Sequence, residues 1–498
     1  MDATADLTGL LAEAQGYCDK GYWREARTAL GALYALGHRP AFTAQQIGDV
    51  EAAMSHYDEA IQWHQQAIAM EPRSYRSHEI LIFMQDARAT TTEAQATAAR
   101  HSWWQHCGSV AYGLRLPHQN TPHPYKRLRV GYVTGDVNFH SSAIAWTAVV
   151  ARHSDQIETC LYSTLERHRY DNRTRLWQEA LGHHFVDVSE QIPHQLALTI
   201  QQDKVDILVD LSGFTNNNRL ITFAYRPAPI QIQAWGYVLG TQSPTFDVLF
   251  ADPIVAPPAI RARVTERVID MPCILPYHPP SKATGKAEDL PEPTPLPCLM
   301  QGPTFCVFQR AMKVTDACIR VWRRILDALH TARILFKGGD YTPSARTWIA
   351  DQFGSTRNQI VFDFNTSHSD HMLWYQDADL ALDPWPQTGG VSTLEACMMH
   401  VPTVTLLGER MIQRASASIM TTVGFPDCIT TTEDEYVQRA VALVTTNRDE
   451  LAAMRATARR NLLASPICVG YVEAVERAYR TLWQEWCHMQ RMTKTKVM

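Results

Sequence analysis

The chain has 498 residues, of which 45% are hydrophobic and 19% are charged, and its 46 basic and 51 acidic residues give a net charge of −5. A single hydrophobic core rarely organises so long a chain, so we expect about three domains. The composition is that of a globular protein, and the slightly acidic balance argues against a general nucleic-acid-binding protein, which is usually basic.

The sequence also argues against a membrane protein and a secreted protein. Its longest uncharged apolar stretch, residues 143–151, is too short to span a bilayer, and the N-terminus lacks the basic start and apolar core of a signal peptide. Eleven cysteines without a Cys-x-x-Cys pair predict reduced thiols in a cytoplasmic protein. Twenty histidines without a His-Glu-x-x-His motif or clustered spacing lead us to expect no metal and no other cofactor.

Residues 1–115 are predicted to form a helical region. The first 105 residues contain no strand-like run, and residues 21–26 are echoed by residues 55–60 at an offset of 34, the tetratricopeptide period. Two such repeats are too few for a free-standing solenoid, so they should pack on the next domain. A generic helical bundle is the alternative interpretation.

Strands and helices alternate after residue 125. Six strand-like runs lie at residues 128–133, 158–163, 185–188, 205–211, 230–235 and 248–251. After a Pro-rich connector at residues 276–303, five more lie at residues 305–308, 333–336, 360–362, 380–382 and 403–407. This alternation predicts two α/β domains, at residues 125–275 and 304–490, each with a mostly parallel sheet covered by helices on both faces.

Two further segments have clear patterns. Residues 315–329 form a predicted amphipathic helix, because Cys318, Val321, Trp322, Ile325 and Leu329 recur at helical spacing. From residue 433 the pattern is helical almost to residue 490. The basic run at residues 167–175 is interpreted as a solvated loop.

Two doubly wound domains joined by one connector predict a cleft at the carboxyl ends of their strands, and a nucleotide diphosphate suits it because helix N-termini face that cleft. Residues 383–395 carry the strongest signal for such a ligand. Gly389 and Gly390 precede a helix and let the backbone approach an anion, and the hydroxyls of Ser392 and Thr393 add donors. Glu395 could accept hydrogen bonds from ribose hydroxyls. A structural Gly-Gly turn before a capped helix is the alternative.

Three other side chains are candidates for chemistry. Lys313 follows a strand of the second domain and could neutralise a departing diphosphate. His140 precedes a helix N-terminus, where a neutral imidazole could accept a proton or bind substrate. His371 could stack on a base or be a packed structural histidine. Each has a purely structural alternative when it is considered alone.

Together these segments resemble one family, the tetratricopeptide-bearing protein glycosyltransferases that include the O-linked N-acetylglucosamine transferases and their SPINDLY-type relatives. The likeness is carried, in family order, by residues 129–140, 206–215, 226–231, 235–237, 308–313 and 377–395. It extends over residues 125–485. Each segment alone is weak, whereas the combination is specific.

The resemblance implies a GT-B fold and an inverting, metal-independent transfer of a sugar, most simply N-acetylglucosamine from UDP-N-acetylglucosamine, to Ser or Thr of a protein acceptor. It implies that Lys313 stabilises the diphosphate and that His140 lies at the sugar–acceptor junction. The residues that match donor-binding positions of the family are Gln309, Arg310, Thr366, His371, Gly390, Val391, Ser392 and Glu395. Thr215 and Gly236 match sugar-pocket positions. The expected partners are a nucleotide sugar and a protein acceptor bound by the repeats and the cleft.

The chain also departs from the family pattern around the donor. Val391 replaces a hydroxyl residue, Gly390 a histidine, Arg310 a glutamine, Met312 a tyrosine and Val238 a proline. A SPINDLY-type O-fucosyltransferase using GDP-fucose and an N-glucosyltransferase using UDP-glucose are therefore alternatives within the class. A non-catalytic repeat scaffold and a GT-B sugar epimerase are alternatives from other classes.

Overall fold

The computed structural model describes residues 3–54, 56–279, 290–292, 296–300, 302–338, 340–363 and 368–497. Much of the predicted connector at residues 276–303 lies outside these ranges. The described chain forms an N-terminal helical region followed by two lobes, each built on a parallel β-sheet. This is the α/β architecture with a helical N-terminus that the sequence predicted.

The helical region is built from seven helices. They are α1 (Ala3–Asp19), α2 (Trp23–Ala35), α3 (Pro40–Ala53), α4 (Tyr57–Met70), α5 (Tyr75–Ala87), α6 (Glu93–Trp103) and α7 (Ser109–Gly113), with a π-helical turn at Trp104–Gly108 between the last two. Helices α2 and α4 begin at Trp23 and Tyr57, so the two copies of the 34-residue echo each open a helix. Neighbouring helices pack in sequence order, as stacked helical repeats do.

The first lobe contains a seven-stranded sheet. Its strands are β1 (Leu128–Thr134), β2 (Ile157–Ser163), β3 (Phe185–Asp187), β4 (Ile207–Asp210), β5 (Ile230–Gln233), β6 (Val248–Ala251) and β7 (Arg267–Asp270). They pair in parallel in the order β3-β2-β1-β4-β5-β6-β7. The helices of this lobe are α8 (Ser141–Val150), α9 (Asn172–Leu181), α10 (Pro193–Gln202), α11 (Leu220–Ala224) and α12 (Pro258–Arg261).

The second lobe contains a six-stranded parallel sheet in the order β10-β9-β8-β11-β12-β13. Its strands are β8 (Thr304–Val307), β9 (Arg333–Lys337), β10 (Ile360–Asp363), β11 (Leu380–Leu382), β12 (Thr403–Leu406) and β13 (Ile429–Thr430). The helices are α13 (Asp316–Ala328), α14 (Pro343–Phe353), α15 (His368–Leu373), α16 (Val391–Met398), α17 (Ala415–Val423), α18 (Glu433–Val444), α19 (Arg448–Ala464) and α20 (Tyr471–Val497).

The last helix, α20, returns to the first lobe, although the sequence grouped it with the second domain. The Tyr479 hydroxyl lies 3.0 Å from the Tyr132 hydroxyl of β1, which is itself 2.6 Å from His153 Nε2. The other ring nitrogen of His153 lies 3.0 Å from Glu476 Oε1. Burial alone would raise the pKa of Glu476, but hydrogen bonds from His153 and Ser154 lower it to about 2. These contacts fasten the C-terminal helix to the first sheet.

Three parts of the structure differ from the sequence interpretation. Strands β7 and β13 were not predicted: β7 is partly exposed and charged at both ends, and β13 has two residues, so neither carries an apolar run. The basic run at residues 167–175 is not one loop, because α9 begins inside it, capped by the carboxylate of Asp171. The helical stretch after residue 433 is three separate helices, α18 to α20.

The cysteines and the apolar character of the helices can be compared with the sequence predictions. All eleven cysteines are free thiols, nine of them buried. Within the described part of the chain, no helix combines the length and the apolar character needed to cross a membrane. The cytoplasmic location stays a prediction.

Candidate functional site

Both sheets reverse their strand order at one point, and the candidate residues follow those points. In the first sheet the reversal lies between β1 and β4, and in the second between β8 and β11. Open parallel sheets bind ligands in the crevice at the carboxyl ends of such strands. His140 follows β1, Thr215 follows β4, Lys313 follows β8 and Gly389 follows β11. The topology therefore places the predicted residues at the two switch points.

Lys313 ends the turn between β8 and α13 and reaches the loop after β11. Its ammonium group donates to the carbonyl oxygen of Thr388 at 3.0 Å and to Gln309 Oε1 at 3.3 Å. Burial of the ammonium lowers the pKa of Lys313 to about 8; Arg310 adds to this shift, whereas the nearby charges of Asp383 and Asp340 oppose it. A half-buried cation held against backbone is preorganised to meet an anion.

The turn between β11 and α16 lies against Lys313. Gly389 Cα is closely enclosed, because a Cβ atom there would lie 2.3 Å from Thr393 Oγ1 and 2.9 Å from Gln309 Nε2. Gln309 Nε2 also donates to Ser392 Oγ at 2.6 Å. The first amides of α16, which begins at Val391, have no helical carbonyl partner and carry the positive end of the helix dipole.

Two of the predicted donor-binding residues in this turn, Val391 and Thr393, do not offer a polar side chain to the cleft. Thr393 is 1% exposed, and its hydroxyl is hydrogen-bonded to Ser416 Oγ at 2.8 Å. It therefore braces the turn from inside. Val391 is buried at the start of α16 and, being apolar, offers only its backbone.

A contact across the cleft joins the two lobes at His140. Arg310 Nη2 of the second lobe lies 2.5 Å from His140 Nε2 of the first. Arg310 is three residues before Lys313 and its charge acts on the Lys313 ammonium, so this contact links His140 to the Lys313 site. Arg310, which the resemblance assigns to the donor, thus contacts the imidazole in this structure.

His371 and Glu395 form the other end of the candidate site. His371 Nε2 lies 3.7 Å from Glu395 Oε2, and the imidazole packs at 5.5 Å from the ring centre of Phe308 and 5.8 Å from that of Tyr375. Glu395 is 6% exposed. Thr366, the second predicted base contact, lies outside the described residues. Phe308 and Tyr375 are buried behind the imidazole, so the partly exposed His371 ring is the surface on which a flat nucleobase could stack.

The two sugar-pocket candidates lie together on the first lobe. A Cβ atom on Gly236 would lie 1.6 Å from the carbonyl oxygen of Leu211, so only glycine fits there. Thr215 Oγ1 donates to the carbonyl oxygen of Ser212, in the same loop after β4. A Cβ atom on Gly135 would meet Asn217, which places this loop against the one that carries His140.

Three buried or half-buried carboxylates at the strand ends were not singled out from the sequence. Asp383 accepts the Gly389 amide at 2.7 Å and the Thr405 hydroxyl at 2.6 Å, and burial raises its pKa to about 6. Asp210 accepts the amides of Ser212 and Gly213, and burial raises its pKa to about 7. Asp136 contacts His140. Their common signal is an acidic residue within two residues of the end of a strand.

The assembled site can hold an anion between fixed donors. A lysine ammonium, an amide side chain and a helix N-terminus meet beyond the carboxyl ends of β8 and β11, with an imidazole on the opposite lobe. Among the residues that the structure describes, no three His, Cys, Asp or Glu side chains are grouped so as to hold a metal ion.

The fold matches a solved glycosyltransferase over nearly its whole length. A mutant of the O-GlcNAc transferase of Thermobaculum terrenum superposes with a TM-score of 0.87 and 26% sequence identity, covering 98% of this chain and 92% of that one. This likeness includes the helical region as well as both lobes.

Sequence comparisons point the same way. The chain is 30% identical over 384 residues to a probable UDP-N-acetylglucosamine–peptide N-acetylglucosaminyltransferase, SPINDLY, of Arabidopsis thaliana, a match covering 74% of this chain and 41% of that one. It is 27% identical over 421 residues to SEC of the same plant, covering 79% and 42%. It thus spans about two fifths of the length of these curated relatives.

The family profile covers both lobes. Glycosyl transferase family 41 matches residues 92–275 and 300–471. These two segments make up more than half of the chain and contain every candidate residue described above. The chain belongs to glycosyl transferase family 41.

Proposed function

We propose that the chain is a protein O-glycosyltransferase that moves N-acetylglucosamine from UDP-N-acetylglucosamine to Ser or Thr of a protein acceptor. The observation that carries this proposal is the convergence of Lys313, the Gly389–α16 turn and His140 on one cleft. Family membership and the names of the SPINDLY and SEC relatives support the donor.

In this proposal the candidate residues bind different parts of the nucleotide sugar. The Lys313 ammonium and the first amides of α16 bind the diphosphate and stabilise the charge that develops on it as the sugar leaves. Gln309, now bonded to both Lys313 and Ser392, aligns the lysine with that turn. His371, backed by the buried rings of Phe308 and Tyr375, takes the base. Thr215 and Gly236 form part of the first-lobe surface that contacts the sugar.

A nucleotide-sugar screen tests the proposal directly. We expect UDP and UDP-N-acetylglucosamine to raise the melting temperature most, because a ligand at 100 times its Kd stabilises a protein by about 2.7 kcal/mol. UDP-N-acetylglucosamine should also label a Ser- and Thr-containing peptide. Both results should persist in excess EDTA, since Lys313 and the helix N-terminus already supply positive charge to the diphosphate.

Other outcomes of this screen distinguish the alternatives. Stabilisation by GDP and transfer from GDP-fucose would indicate an O-fucosyltransferase, and transfer from UDP-glucose to asparagine an N-glucosyltransferase. No stabilisation by any nucleotide would contradict the proposal and favour a non-catalytic scaffold. A loss in EDTA that magnesium restores would contradict the metal-independent mechanism.

We also propose that the helical region contributes to acceptor binding. Glu79 of α5 accepts a hydrogen bond from Asn218, which in turn donates to the carbonyl oxygen of Thr215 in the sugar-pocket loop. The helical region therefore touches the loop that borders the acceptor side. Tyr75, at the start of the same helix, is 43% exposed. Partial burial of its hydroxyl and the charge of Glu79 raise the pKa of Tyr75, whereas the charge of Arg219, the residue after Asn218, lowers it.

Replacing Tyr75 with alanine should separate acceptor binding from donor binding. We expect the KM for a peptide acceptor to rise about tenfold, the loss typical of an exposed aromatic contact of about 1.4 kcal/mol, with nucleotide affinity unchanged. The measurements are acceptor kinetics and nucleotide calorimetry. Tyr125→Ala is the matched control: Tyr125 is exposed beside the start of β2, at the amino ends of the strands, whereas the Thr215 loop follows the carboxyl end of β4. Equal losses of acceptor and nucleotide binding in Tyr75→Ala would argue against a separate recognition surface.

A further inference from the structure

We propose that Asp136 is a positioning residue that holds His140 with its Nε2 lone pair facing the cleft, ready to take the proton of the acceptor hydroxyl. This inference rests on the proposed function and adds to it a residue and a protonation state. Asp136 follows the end of β1, and His140 is the N-cap of α8, four residues later.

The contact with Arg310 determines which nitrogen of His140 carries the proton. A guanidinium group has only hydrogen-bond donors. Its Nη2 lies 2.5 Å from His140 Nε2, so Nε2 presents a lone pair and a neutral ring carries its hydrogen on Nδ1. The Ser142 amide points at Nδ1 from 3.3 Å and would suit the other tautomer. The Arg310 contact is shorter by 0.8 Å and charged, so it dominates.

Acceptors for the Nδ1 hydrogen stand on the other side of the ring. Nδ1 lies 2.9 Å from Ser142 Oγ and 3.2 Å from Asp136 Oδ2. Ser142 Oγ donates its own hydrogen to Asp136 Oδ2 at 2.6 Å, so its lone pairs are turned to the imidazole. Asp136, Ser142 and His140 therefore contact one another in a triangle, in which the Asp136 carboxylate is the final hydrogen-bond acceptor.

The carboxylate remains charged in this setting. Burial alone would raise the pKa of Asp136, but the hydrogen bonds from His140 and Ser142 and the charge of Arg310 lower it. The charged groups that face His140 are thus Asp136 from its own loop and Arg310 from the second lobe. An ionised carboxylate on Nδ1–H fixes the ring and stabilises the imidazolium that forms when Nε2 accepts a proton.

The proton balance of the transfer follows. The acceptor oxygen bonds to the anomeric carbon of the sugar while the bond from that carbon to the diphosphate oxygen breaks, and the electron pair leaves with the diphosphate. The hydroxyl proton moves to His140 Nε2. Arg310 must first release Nε2, and the diphosphate bound at Lys313, three residues away, is the anion that would attract its guanidinium.

The variant Asp136→Asn tests the inference. The carboxamide of the new asparagine can donate to His140 Nδ1 and so favours the tautomer with hydrogen on Nε2. In that tautomer Nε2 is unable to accept a proton. We expect kcat to fall by at least about a hundredfold, as in other His–Asp pairs, while the donor KM and nucleotide affinity change less than about threefold. Nitrogen-15 NMR of the ring should show the Nδ1–H form in the parent and the Nε2–H form in the variant.

Two comparisons separate positioning from a structural role. Asp187→Asn is the matched control, since Asp187 likewise accepts from a serine hydroxyl in the first lobe but pairs with Arg167 instead of a histidine and lies at the end of β3; it should keep its kcat. In a His140→Ala background, Asp136→Asn should cost little more, because the two residues act as a unit. An Nε2–H ring in the parent, or an unchanged kcat in Asp136→Asn, would overturn the inference. The NMR result does not depend on turnover, so a parent that binds nucleotide without transferring sugar would contradict the proposed function alone.

Discussion

Replacing Lys313 with alanine is expected to remove most turnover without unfolding the protein. The ammonium is the positive charge that the pocket holds ready for the leaving diphosphate, and its hydrogen bonds to Thr388 and Gln309 keep it there. Losing such a preorganised charge should cost about 3 kcal/mol or more of transition-state stabilisation, which corresponds to at least about a hundredfold in kcat. The measurement is steady-state kinetics beside a melting curve.

The pH dependence provides a second readout on the same residue. Because the pKa of Lys313 is lowered to about 8 by burial, the free enzyme should lose this charge as the pH rises through that value. We therefore expect kcat/KM to fall above pH 8 in the parent. Lys313→Arg, which stays charged at high pH, should have lower activity without this alkaline fall. If Lys313→Ala keeps its turnover within about twofold of the parent, the assignment is contradicted, because a twofold loss is far smaller than the loss expected for a leaving-group contact.

Replacing Asp86 with asparagine is expected to destabilise the junction of all three parts of the protein. Asp86 is 1% exposed and accepts from Arg100 of α6 at 2.6 Å and from Arg410 of the second lobe at 2.7 Å. The hydroxyl of Tyr237 from the first lobe also donates to it. Removing one charge from a buried ionic cluster leaves the partners uncompensated, which typically costs about 3–5 kcal/mol. Urea unfolding measures this loss.

Asp58→Asn is the matched control for this experiment. Asp58 pairs with Arg88 in the same helical region, but its side chain is 65% exposed. Surface ion pairs contribute at most about 1 kcal/mol, so this variant should unfold almost like the parent. Similar unfolding free energies for Asp86→Asn and the parent would show that the three-part junction does not depend on this carboxylate.

The sequence predicted the parts of the fold that local patterns encode. Apolar runs separated by helical segments predicted two parallel sheets, and five apolar side chains at helical spacing predicted α13 to within one residue at each end. These patterns are local because a buried strand or an amphipathic helix must be apolar wherever it packs. The same reasoning missed β7 and β13, since an exposed edge strand and a two-residue strand need no such run.

The candidate site was predicted in part. Its glycines, Lys313 and His140 were found because strand-to-helix turns in such sheets face a ligand cleft. The resemblance then assigned roles, but it could not show that Thr393 turns inward to Ser416 or that Arg310 contacts His140. Both depend on how separate segments are placed in space, and no spacing along the chain records it.

By itself, therefore, the sequence predicted the two sheets, the helical N-terminal region, the family and the candidate residues that the fold places at the switch points. Only the tertiary structure decided which residues touch across it. The proton position on His140 depends on Arg310, 170 residues away, and Asp86 pairs with Arg410, 324 residues away, as well as with Arg100. The physical reason is that hydrogen bonds and ion pairs act over a few ångströms, so their partners are set by how the lobes pack and not by the order of the residues.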